Sequence, residues 1–403
     1  MRIAADLQLH SKYALATSKD MDLEHMAQGA KVKGLGLLGT GDFTHPRWYA
    51  TLKSKLQAID GTGLFAYRGM TWMLSGEVST VYEQGGKVRK VHHLLYSPDL
   101  ETVAQMNDFL SKYANLASDG RPILTGIDSA ELVEAMSGIS RSVVVIPAHA
   151  WTPWFSVFGS KSGFDSLEEC YQDQTSKIFA IETGLSSDPS MNWRISALDR
   201  VALVSNSDAH SPNPWRLGRE ANVFDLPRPT YKAIFDAIRK KDARRFIFTI
   251  EVDPSYGKYH YTGHKKCAVS LSPEESRRTG NRCPVCGKKL TVGVLQRVEE
   301  LADRPEGFTP PGAVPFKRLL PLYEVVSFAT GVNRLYAKSV LDLQDRLIRT
   351  FGDELTVLLE TAEADLAKVV LPKVARAIVA SREGRMKVTP GYDGVYGVPD
   401  FGE

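Results

Sequence analysis

Short apolar runs alternate with amphipathic segments over the first 250 residues of the chain. The runs have the length and β-branched content of buried strands. They lie at 34–39, 143–147, 178–181, 201–204 and 246–250. Segments with helical periodicity separate several of them, at 100–113, 130–136 and 230–241. Because such alternation is typical of parallel strands with helices outside them, we predict an α/β fold with a parallel sheet for this part.

The pattern changes beyond residue 250. Residues 255–297 hold nine Lys and Arg against two Glu and no Asp, an excess of nine minus two, or +7. Five prolines between residues 305 and 321 then interrupt regular structure. Apolar periodicity predicts helices through 322–383. We therefore expect three regions, at 1–250, 251–300 and 301–403.

Composition narrows the class of protein. Hydrophobic residues make up 43% and charged residues 24% of the 403 residues, which is ordinary for a folded globular chain. Fifty basic and 47 acidic residues leave a net charge of only +3, so the basic excess of the second region is local. No apolar run approaches the roughly 18 residues of a membrane helix, and Asp6 interrupts the first apolar segment. We therefore expect neither a membrane partner nor a signal peptide.

Cysteine usage points to a reducing compartment. The chain has four cysteines, and three of them lie close together at 267, 283 and 286. Four cysteines in 403 residues are too few for a disulfide scaffold. We therefore expect a cytoplasmic setting.

Histidine and carboxylate residues recur near the ends of the predicted strands. His10 ends a first apolar segment, His149 follows the run at 143–147, and His210 follows the run at 201–204. Because strand ends in a parallel barrel converge on one face, these side chains are expected to share a cleft. Mixed imidazole and carboxylate ligands suit zinc, manganese or iron. The candidate metal ligands are His10, His45, Glu77, His92, His149, Asp208 and His210.

A single histidine at a strand end is most often a capping or solvated residue, so the prediction depends on the whole set. His25 lies in an acidic helical stretch and is interpreted as a surface residue. His93 neighbours His92 on a strand and must face the opposite side, so only one of the two is expected to be a ligand.

A second cluster has the spacing of a structural zinc site. His264-x-x-Cys267 and Cys283-x-x-Cys286 are two close pairs separated by 15 residues. Each pair can close a tight turn over one tetrahedral ion. His260 lies four residues before His264 and is the alternative fourth ligand. The competing interpretation is a basic loop with free thiols.

The strand-end segments resemble the motifs of the PHP (polymerase and histidinol phosphatase) family of metal-dependent phosphoesterases. The matching segments are 6–11, 39–46, 75–77, 91–95, 146–150 and 205–210. The resemblance implies a distorted seven-stranded parallel β/α barrel that holds two or three divalent metals (zinc, manganese or magnesium). It implies catalytic roles for Glu77, His149, Asp208 and His210.

Two departures from the family motifs add candidates. Gln8 stands where the first motif usually has a histidine, and it can offer a carbonyl oxygen to a metal or to its water. Two residues separate Asp42 from His45, where the family usually has the pair adjacent. Asp42 is therefore expected either to orient His45 or to be a ligand itself.

The whole chain, including the zinc cluster and the glycine- and tyrosine-bearing tail at 390–397, resembles a DNA-repair branch of this family. The resemblance implies cleavage of DNA on the 5′ side of a deaminated base (uracil, hypoxanthine or xanthine) or of an abasic site. The products would carry a 3′-hydroxyl and a 5′-phosphate. Damaged DNA is then the expected partner, together with a sliding clamp or a helicase.

Basic and aromatic residues supply candidate DNA contacts. The candidates for phosphate neutralisation are Lys265, Lys266, Arg282 and Lys288, for which a solvated face is the alternative. An enzyme that cuts beside one altered base must extrude that nucleotide, and aromatic rings stack on extruded bases. The candidates for stacking are Trp151, Trp154 and Trp215, for which core packing is the alternative. Glu182 follows the run at 178–181 and is expected to face the same cleft.

Two other functions compete with the endonuclease. A small-molecule phosphoesterase of the histidinol-phosphatase type needs only the barrel, and it leaves the zinc cluster and about 150 further residues unexplained. A non-catalytic DNA-binding scaffold would fit the change at Gln8. It gives no physical reason to keep costly buried polar residues such as Asp208 and His149.

Overall fold

The computed structural model describes residues 1–332 and 336–400. Its strands are β1 (Arg2–Asp6), β2 (Leu37–Gly39), β3 (Gln57–Ile59), β4 (Leu64–Tyr67), β5 (Met70–Gln84), β6 (Lys87–Ser97), β7 (Ile123–Thr125), β8 (Val144–Pro147), β9 (Ala180–Glu182), β10 (Ala202–Val204), β11 (Ala221–Asp225), β12 (Phe246–Glu251), β13 (Thr262–His264), β14 (Val269–Leu271), β15 (Phe316–Arg318), β16 (Lys387–Thr389) and β17 (Val398–Asp400).

The α-helices are α1 (Leu23–Lys33), α2 (Pro46–Lys55), α3 (Leu100–Leu110), α4 (Ser129–Ile139), α5 (Leu167–Tyr171), α6 (Pro189–Asn192), α7 (Tyr231–Arg239), α8 (Pro273–Arg278), α9 (Val294–Leu301), α10 (Leu322–Thr330), α11 (Lys338–Phe351), α12 (Glu354–Leu359), α13 (Glu363–Leu366) and α14 (Pro372–Arg382). Short 3-10 helices span Gln172–Lys177, Ser196–Arg200, Pro254–Tyr256 and Lys265–Cys267. Within the described residues, no helix combines the length and the apolar character needed to cross a membrane.

The central sheet is mixed, so the expectation of a parallel sheet holds for only part of it. Its eleven strands include the order β15-β12-β11-β1-β2-β5-β4-β3, with β6 and β7 beside β5 and β8 beside β6. Neighbours β1, β2 and β5 are parallel, whereas β11 and β6 run antiparallel to β1 and β5. Gly85 and Gly86, with φ of 63° and 69°, turn β5 directly into β6. A two-residue hairpin of this kind replaces the helical crossover that a parallel pair would need.

One buried cluster includes side chains from seven strands, β1, β2, β5, β6, β8, β9 and β10, together with residues of β4, β11, β12 and α7. Its members on these strands and just after them are Ile3, Ala5 and Leu7 at β1, Leu37 on β2, Met73 on β5, Leu94 and Tyr96 on β6, Val144, Ile146 and Ala148 at β8, Ala180 on β9, and Ala202 and Val204 on β10. Alternate residues of a strand point to one side, so these strands share an inner face. Leu9 after β1 also pairs in parallel with Ala209 after β10, which brings the first and last of them together.

The predicted helices of the first region are confirmed, with ends set by local capping. Asp99, Asp128 and Thr230 begin α3, α4 and α7, and each side chain accepts a hydrogen bond from a backbone N–H of the first turn. Such caps satisfy donors that a helix leaves free at its start. The apolar faces of α3 and α4 pack on the larger of the buried clusters, and α7 packs on the cluster just described.

The helices predicted within 322–383 are also present, as α10 to α14. A buried ion pair between Lys33 Nζ on α1 and Glu354 Oε1 on α12, 2.6 Å apart, ties them to the first region. Just before these helices in the chain, β15 adds a strand to the central sheet beside β12. The described residues of the region predicted at 301–403 therefore pack on the first region, while 333–335 and 401–403 lie outside the described residues.

Candidate metal centres and active site

The first group of metal-capable residues contains His10, Asp208 and His210, whose ligand atoms lie within 4.8 Å of one another. His10 is fully buried, and its Nδ1 lies 2.9 Å from Asp42 Oδ1. Asp42 Oδ2 accepts the backbone N–H of Ser11. Asp42 therefore orients His10 through Oδ1 and not His45, which sequence reasoning expected it to orient, and His10 Nε2 is left facing Asp208 Oδ1 at 3.0 Å.

The second group contains Glu77, His92 and His149 and meets the same distance limit. Glu77 Oε1 lies 2.6 Å from His92 Nδ1 and 3.5 Å from His149 Nε2. Its other oxygen, Oε2, lies 3.1 Å from His10 Nε2. Glu77 therefore bridges the two groups, one oxygen toward each, and the two groups form one contiguous centre.

The nitrogen and oxygen atoms of this centre are better placed to bind divalent cations than to form hydrogen bonds with one another. His10 Nε2, Glu77 Oε1 and Asp208 Oδ1 are buried, and within the described chain none of them has a hydrogen bond of acceptable geometry. Burial opposes ionisation of Glu77, but His92, Arg121 and His10 outweigh it and hold the pKa of Glu77 well below its usual range. Burial likewise opposes ionisation of Asp208, but the adjacent His10 outweighs it and keeps the pKa of Asp208 low. Two ionised carboxylates and four imidazoles are a suitable ligand set for zinc or manganese.

Three residues of this neighbourhood adopt left-handed backbone conformations. Asp42, His149 and Asp208 have φ of 46°, 29° and 48°. Such values are uncommon for residues other than glycine and persist only where surrounding contacts enforce them. Beside His149 the space is so restricted that a Cβ on Gly184 would lie 2.6 Å from the His149 Cβ. The backbone is thus held in conformations that aim these side chains into the centre.

Glu182 holds the backbone of His149 in place. Glu182 Oε2 accepts the backbone N–H of His149 at 2.7 Å, and Oε1 accepts the amide of Asn206 at 2.7 Å. Burial raises the pKa of Glu182 to about 8, although His149 and Asn206 oppose the rise. Glu182 lines the cleft, as predicted by its position after a strand, and both of its oxygens are already occupied. Its geometry therefore favours a positioning role.

The remaining predicted ligands lie differently. Gln8 is buried and its amide donates to Glu77 Oε2 at 2.9 Å, which leaves Oε1 unpaired within the described residues. His45 belongs to neither metal-capable group. Its ring stacks on Tyr13 with centroids 4.4 Å apart, at the start of α2. His93 points away from the centre, as predicted, and packs against Tyr171.

A cleft of about 360 Å³ opens beside the centre. The ligand residues Asp208, His149 and His210 line one side, and Lys258, Tyr259 and Tyr396 line another. Lys258 Nζ lies 5.6 Å and 6.0 Å from the ring centres of Tyr259 and Tyr396. Tyr396 belongs to the tail singled out in the sequence, which reaches back to this cleft from the far end of the chain. Its backbone is fixed there by Gly394 N–H and Gly397 N–H, which donate to the carbonyls of Lys258 and Tyr256.

The tryptophans predicted to stack on DNA do not line this cleft. Trp151 is 1% exposed and its indole N–H donates to Asn192 at 2.8 Å. Trp215 is 9% exposed and packs against Tyr323. Trp154 is 40% exposed, with its ring 5.7 Å from that of Tyr259. Sequence reasoning missed Lys258 and Tyr396, although the notable composition of 390–397 was a signal that pointed at the second.

The third metal-capable group contains His264, Cys267, Cys283 and Cys286, the four residues predicted from spacing. Their ligand atoms lie within 4.8 Å of one another, and Cys286 Sγ is 3.4 Å from His264 Nδ1. These separations suit a tetrahedral ion, for which Zn–S bonds of about 2.3 Å put sulfurs roughly 3.7 Å apart. His260, the alternative ligand, is outside the group: it is buried, stacked on Tyr261, and burial lowers its pKa to about 4.

The basic residues predicted to meet DNA phosphates surround this third group. Lys265, Lys266, Arg282 and Lys288 are all exposed. The backbone N–H of Lys265 donates to Asp393 Oδ2 at 2.7 Å, so the chain's tail contacts the third group as well as the cleft. One surface of the molecule therefore carries exposed cations, while the neighbouring cleft carries the buried ligands.

Comparison with known proteins places this site in a family. A family model described as the MJ0043 C-terminal domain matches residues 321–385. Over 413 aligned residues, the chain is 32% identical to the protein YqxK of Bacillus subtilis, and the match covers 98% of each protein. It is 36% identical to the protein MJ0043 of Methanocaldococcus jannaschii over 262 residues, which cover 63% of this chain and 31% of that protein.

Two solved structures match almost the whole chain. The lesion-specific endonuclease PfuEndoQ of Pyrococcus furiosus has a TM-score of 0.88 and 35% identity, over 99% of this chain and 95% of that one. Endonuclease Q in complex with a 27-mer duplex that carries an abasic lesion at the active site has a TM-score of 0.89 and 36% identity, over 100% and 97%.

The mixed α/β fold carries a contiguous cluster of histidines and carboxylates that could hold metal ions, and the matched endonucleases are DNA-cleaving hydrolases. The chain belongs to the endonuclease Q family of DNA-cleaving hydrolases.

Proposed function

We propose that this protein is a metal-dependent DNA-repair endonuclease. It hydrolyses the phosphodiester on the 5′ side of a deaminated base (uracil, hypoxanthine or xanthine) or of an abasic site, and leaves a 3′-hydroxyl and a 5′-phosphate. The observation that carries the proposal is the bridged ligand centre beside a cleft with cationic and aromatic walls. The complex of endonuclease Q with an abasic duplex supports DNA as the substrate.

Six residues would hold two divalent cations, and Gln8 supplies a further oxygen. The two ligand groups are His10, Asp208 and His210, and Glu77, His92 and His149. Cations bound there would polarise a phosphate oxygen and activate water, which is the chemistry that phosphodiester hydrolysis requires. Asp42 and Glu182 hold His10 and His149 in place, so the ligands are oriented before the substrate arrives.

The cleft beside the centre would receive the extruded nucleotide. Enzymes that act beside one altered base take that nucleotide out of the duplex and read it in a pocket. Tyr259 and Tyr396 offer ring faces for stacking, and Lys258 lies between them where it can meet a phosphate. These residues replace the tryptophans as the proposed lesion contacts, with Trp154 at their edge.

The three regions would divide the function. Residues 1–250 would form a PHP-type barrel, which is supported by the buried cluster that includes seven of its strands and by the parallel pairing of Leu9 with Ala209. Residues 251–300 would form a zinc module whose exposed lysines and arginines bind DNA phosphates. The helical region 301–403 would hold the DNA duplex against the cleft, with its tail in contact with the DNA. A cytoplasmic setting and a sliding clamp or helicase partner belong to the same proposal.

The test is nicking of defined duplexes. The full-length protein is incubated with manganese or magnesium and end-labelled duplexes that carry one uracil, one hypoxanthine, one abasic site, or no lesion. Asp208→Ala runs alongside, because it removes one ligand from the centre. The expected result is a nick 5′ of each lesion that is absent from intact DNA and from the variant.

Three outcomes would contradict the proposal. Turnover of a simple phosphomonoester without nicking would point to a small-molecule phosphatase. Binding of the duplexes with neither activity would point to a scaffold. A nick that survives in Asp208→Ala would place the chemistry elsewhere in the chain.

A further inference from the structure

Arg121 is a cation inside the ligand cluster that the proposed metal sites do not use. It lies in the segment leading into β7, and its Nη1 is 3.8 Å from Glu77 Oε1. Only 28% of its side chain is exposed. Its backbone N–H donates to Asp119, but its guanidinium donates no hydrogen bond to any residue that the structure describes.

The segment that carries Arg121 is fixed against the ligand centre. Gly120 N–H donates to the carbonyl of Tyr13 at 3.1 Å, and its own carbonyl accepts from Thr44 Oγ1 at 3.1 Å. A Cβ on Gly120 would lie 2.4 Å from Asp42 Oδ2, so only glycine allows this close approach. Arg121 is thus placed by contact with Asp42, the residue that orients His10.

An arginine in this position lacks acceptors for its donors. A guanidinium carries five N–H groups in a planar fork, and burying them without partners is unfavourable. Glu77 does not supply them, because the closest approach, between Arg121 Nη1 and Glu77 Oε1, is 3.8 Å and too long for a hydrogen bond. No residue that the structure describes supplies these acceptors, so they come from water or from a ligand that reaches the centre and displaces it. A phosphate suits the fork geometry and the charge best.

We infer that Arg121 binds a non-bridging oxygen of the phosphate that is cleaved, which rests on the proposed endonuclease function. Substrate binding would then give the guanidinium the hydrogen bonds that the protein leaves unmade. The competing explanation is charge balance alone, because Asp42, Asp119, Glu77 and Asp208 all lie near enough to act on it electrostatically. These two roles predict different responses to the charge on a single phosphate.

A double-mutant cycle between protein and DNA separates them. Binding is measured by fluorescence anisotropy in an Asp208→Asn background, so that bound DNA is not cut. Two abasic duplexes are compared, one with the natural linkage on the 5′ side of the lesion and one with a neutral methylphosphonate there. Arg121→Ala is expected to weaken binding of the natural duplex by about tenfold or more and to leave the methylphosphonate duplex nearly unaffected.

Matched variants keep the result interpretable. Arg141→Ala removes an exposed arginine ahead of β8, at the opposite end of that strand from His149, and is expected to affect both duplexes equally and weakly. Arg121→Lys keeps the positive charge but lacks the planar guanidinium. If the alanine variant fails to fold, the same double-mutant cycle is measured with the lysine variant. It is expected to restore part of the discrimination between the duplexes.

Equal weakening of both duplexes by Arg121→Ala, or no weakening, would overturn the inference and leave charge balance as the role of Arg121. The proposed function fails separately, if the wild-type protein with manganese or magnesium nicks none of the lesions. Nicking by the wild-type protein together with a null cycle would therefore reject only the role of Arg121.

Discussion

The part of the chain that the structure describes has two centres that could bind metal. The bridged centre contains His10, Asp208, His210, Glu77, His92 and His149, and the sulfur group contains His264, Cys267, Cys283 and Cys286. The protein keeps the ligands of these two centres in place by different means. In the bridged centre the protein positions each ligand: Asp42 orients His10, and Glu182 holds the backbone of His149. The sulfur group has a core of only three buried residues, Val269, Cys283 and Leu290. In the bridged centre the fold positions the ligands before an ion binds. In the sulfur group a bound ion would instead stabilise the fold of the segment around it.

The largest effect is therefore expected from breaking the sulfur group. Cys283→Ser should abolish zinc binding and unfold residues 262–290 locally, because zinc contributes about 10–16 kcal/mol to the folding of small zinc modules. The measurements are zinc content per chain and hydrogen exchange by mass spectrometry. Protection should vanish in the module and remain in β5 and β6.

Cys170→Ala provides the matched control. Cys170 is buried and lies outside the sulfur group, so its loss should leave the zinc content unchanged. Retention of zinc and of protection in Cys283→Ser would show that the module is held by its own packing, and the contrast between the two centres would be lost.

The next effect comes from loosening the bridged centre without removing a ligand. Asp42→Asn keeps the size of the side chain but takes the charge from the group that orients His10. The affinity for manganese, measured by titration of nicking and by metal content after dialysis, should fall about 10–100-fold, with little change in melting temperature. Asp22→Asn is the control, because Asp22 contacts the exposed His25 in the same way, at 2.8 Å. A similar loss in both variants would contradict the proposed role of Asp42.

The same contrast explains what could be predicted from the sequence. The ligands of the sulfur group are close along the chain, and their spacing predicted the three cysteines and His264, with His260 left open as the alternative fourth ligand. The ligands of the bridged centre come from distant segments, yet His10, His149 and His210 follow apolar runs that are recognisable as strands. The positions of strands, and the residue types that follow them, depend on nearby sequence. Both could therefore be predicted from the sequence.

What escaped prediction depends on contacts between distant segments or on backbone conformation. Tyr396 reaches the cleft from the far end of the chain, and nothing near it in sequence indicates His149 as a neighbour. The left-handed backbone of Asp208 is enforced by packing that no local pattern encodes. The hairpin of β5 and β6 does have a local signal, because Gly85-Gly86 stands between two strand-like runs. The overall alternation of strands and helices favoured parallel strands, and the hairpin was missed for that reason.

A moderate effect is expected where the tail meets the cleft. Tyr396→Ala should raise KM for abasic DNA about 5–150-fold and change kcat little, because a stacked base contributes roughly 1–3 kcal/mol to binding. Tyr396→Phe keeps the ring and should behave like the wild type. Steady-state nicking assays measure both values. A fall in kcat without a change in KM would mean that the tail acts on the chemistry instead of holding the nucleotide.

The smallest effect concerns the residues that support the bridged centre from within. Glu251 is fully buried, and its Oε2 accepts from Thr183 and Ser205, the neighbours of Glu182 and Asn206. Burial raises the pKa of Glu251 from 4.5 to about 8. The folded protein therefore keeps a proton that the unfolded chain releases above about pH 4.5. The stability that this proton contributes is fully present below that pH and is lost as the pH rises through about 8.

Glu251→Gln should flatten this dependence, because the amide is neutral at every pH. Between the two pKa values one such group changes stability by at most about 1.4 kcal/mol per pH unit. Thermal unfolding from pH 6 to pH 9 should show the wild-type melting temperature falling more steeply than that of the variant, with the smallest difference at pH 6. Parallel curves would mean that Glu251 is ionised in the folded protein, and that the carboxylate is stabilised by its hydroxyl partners rather than kept neutral by burial.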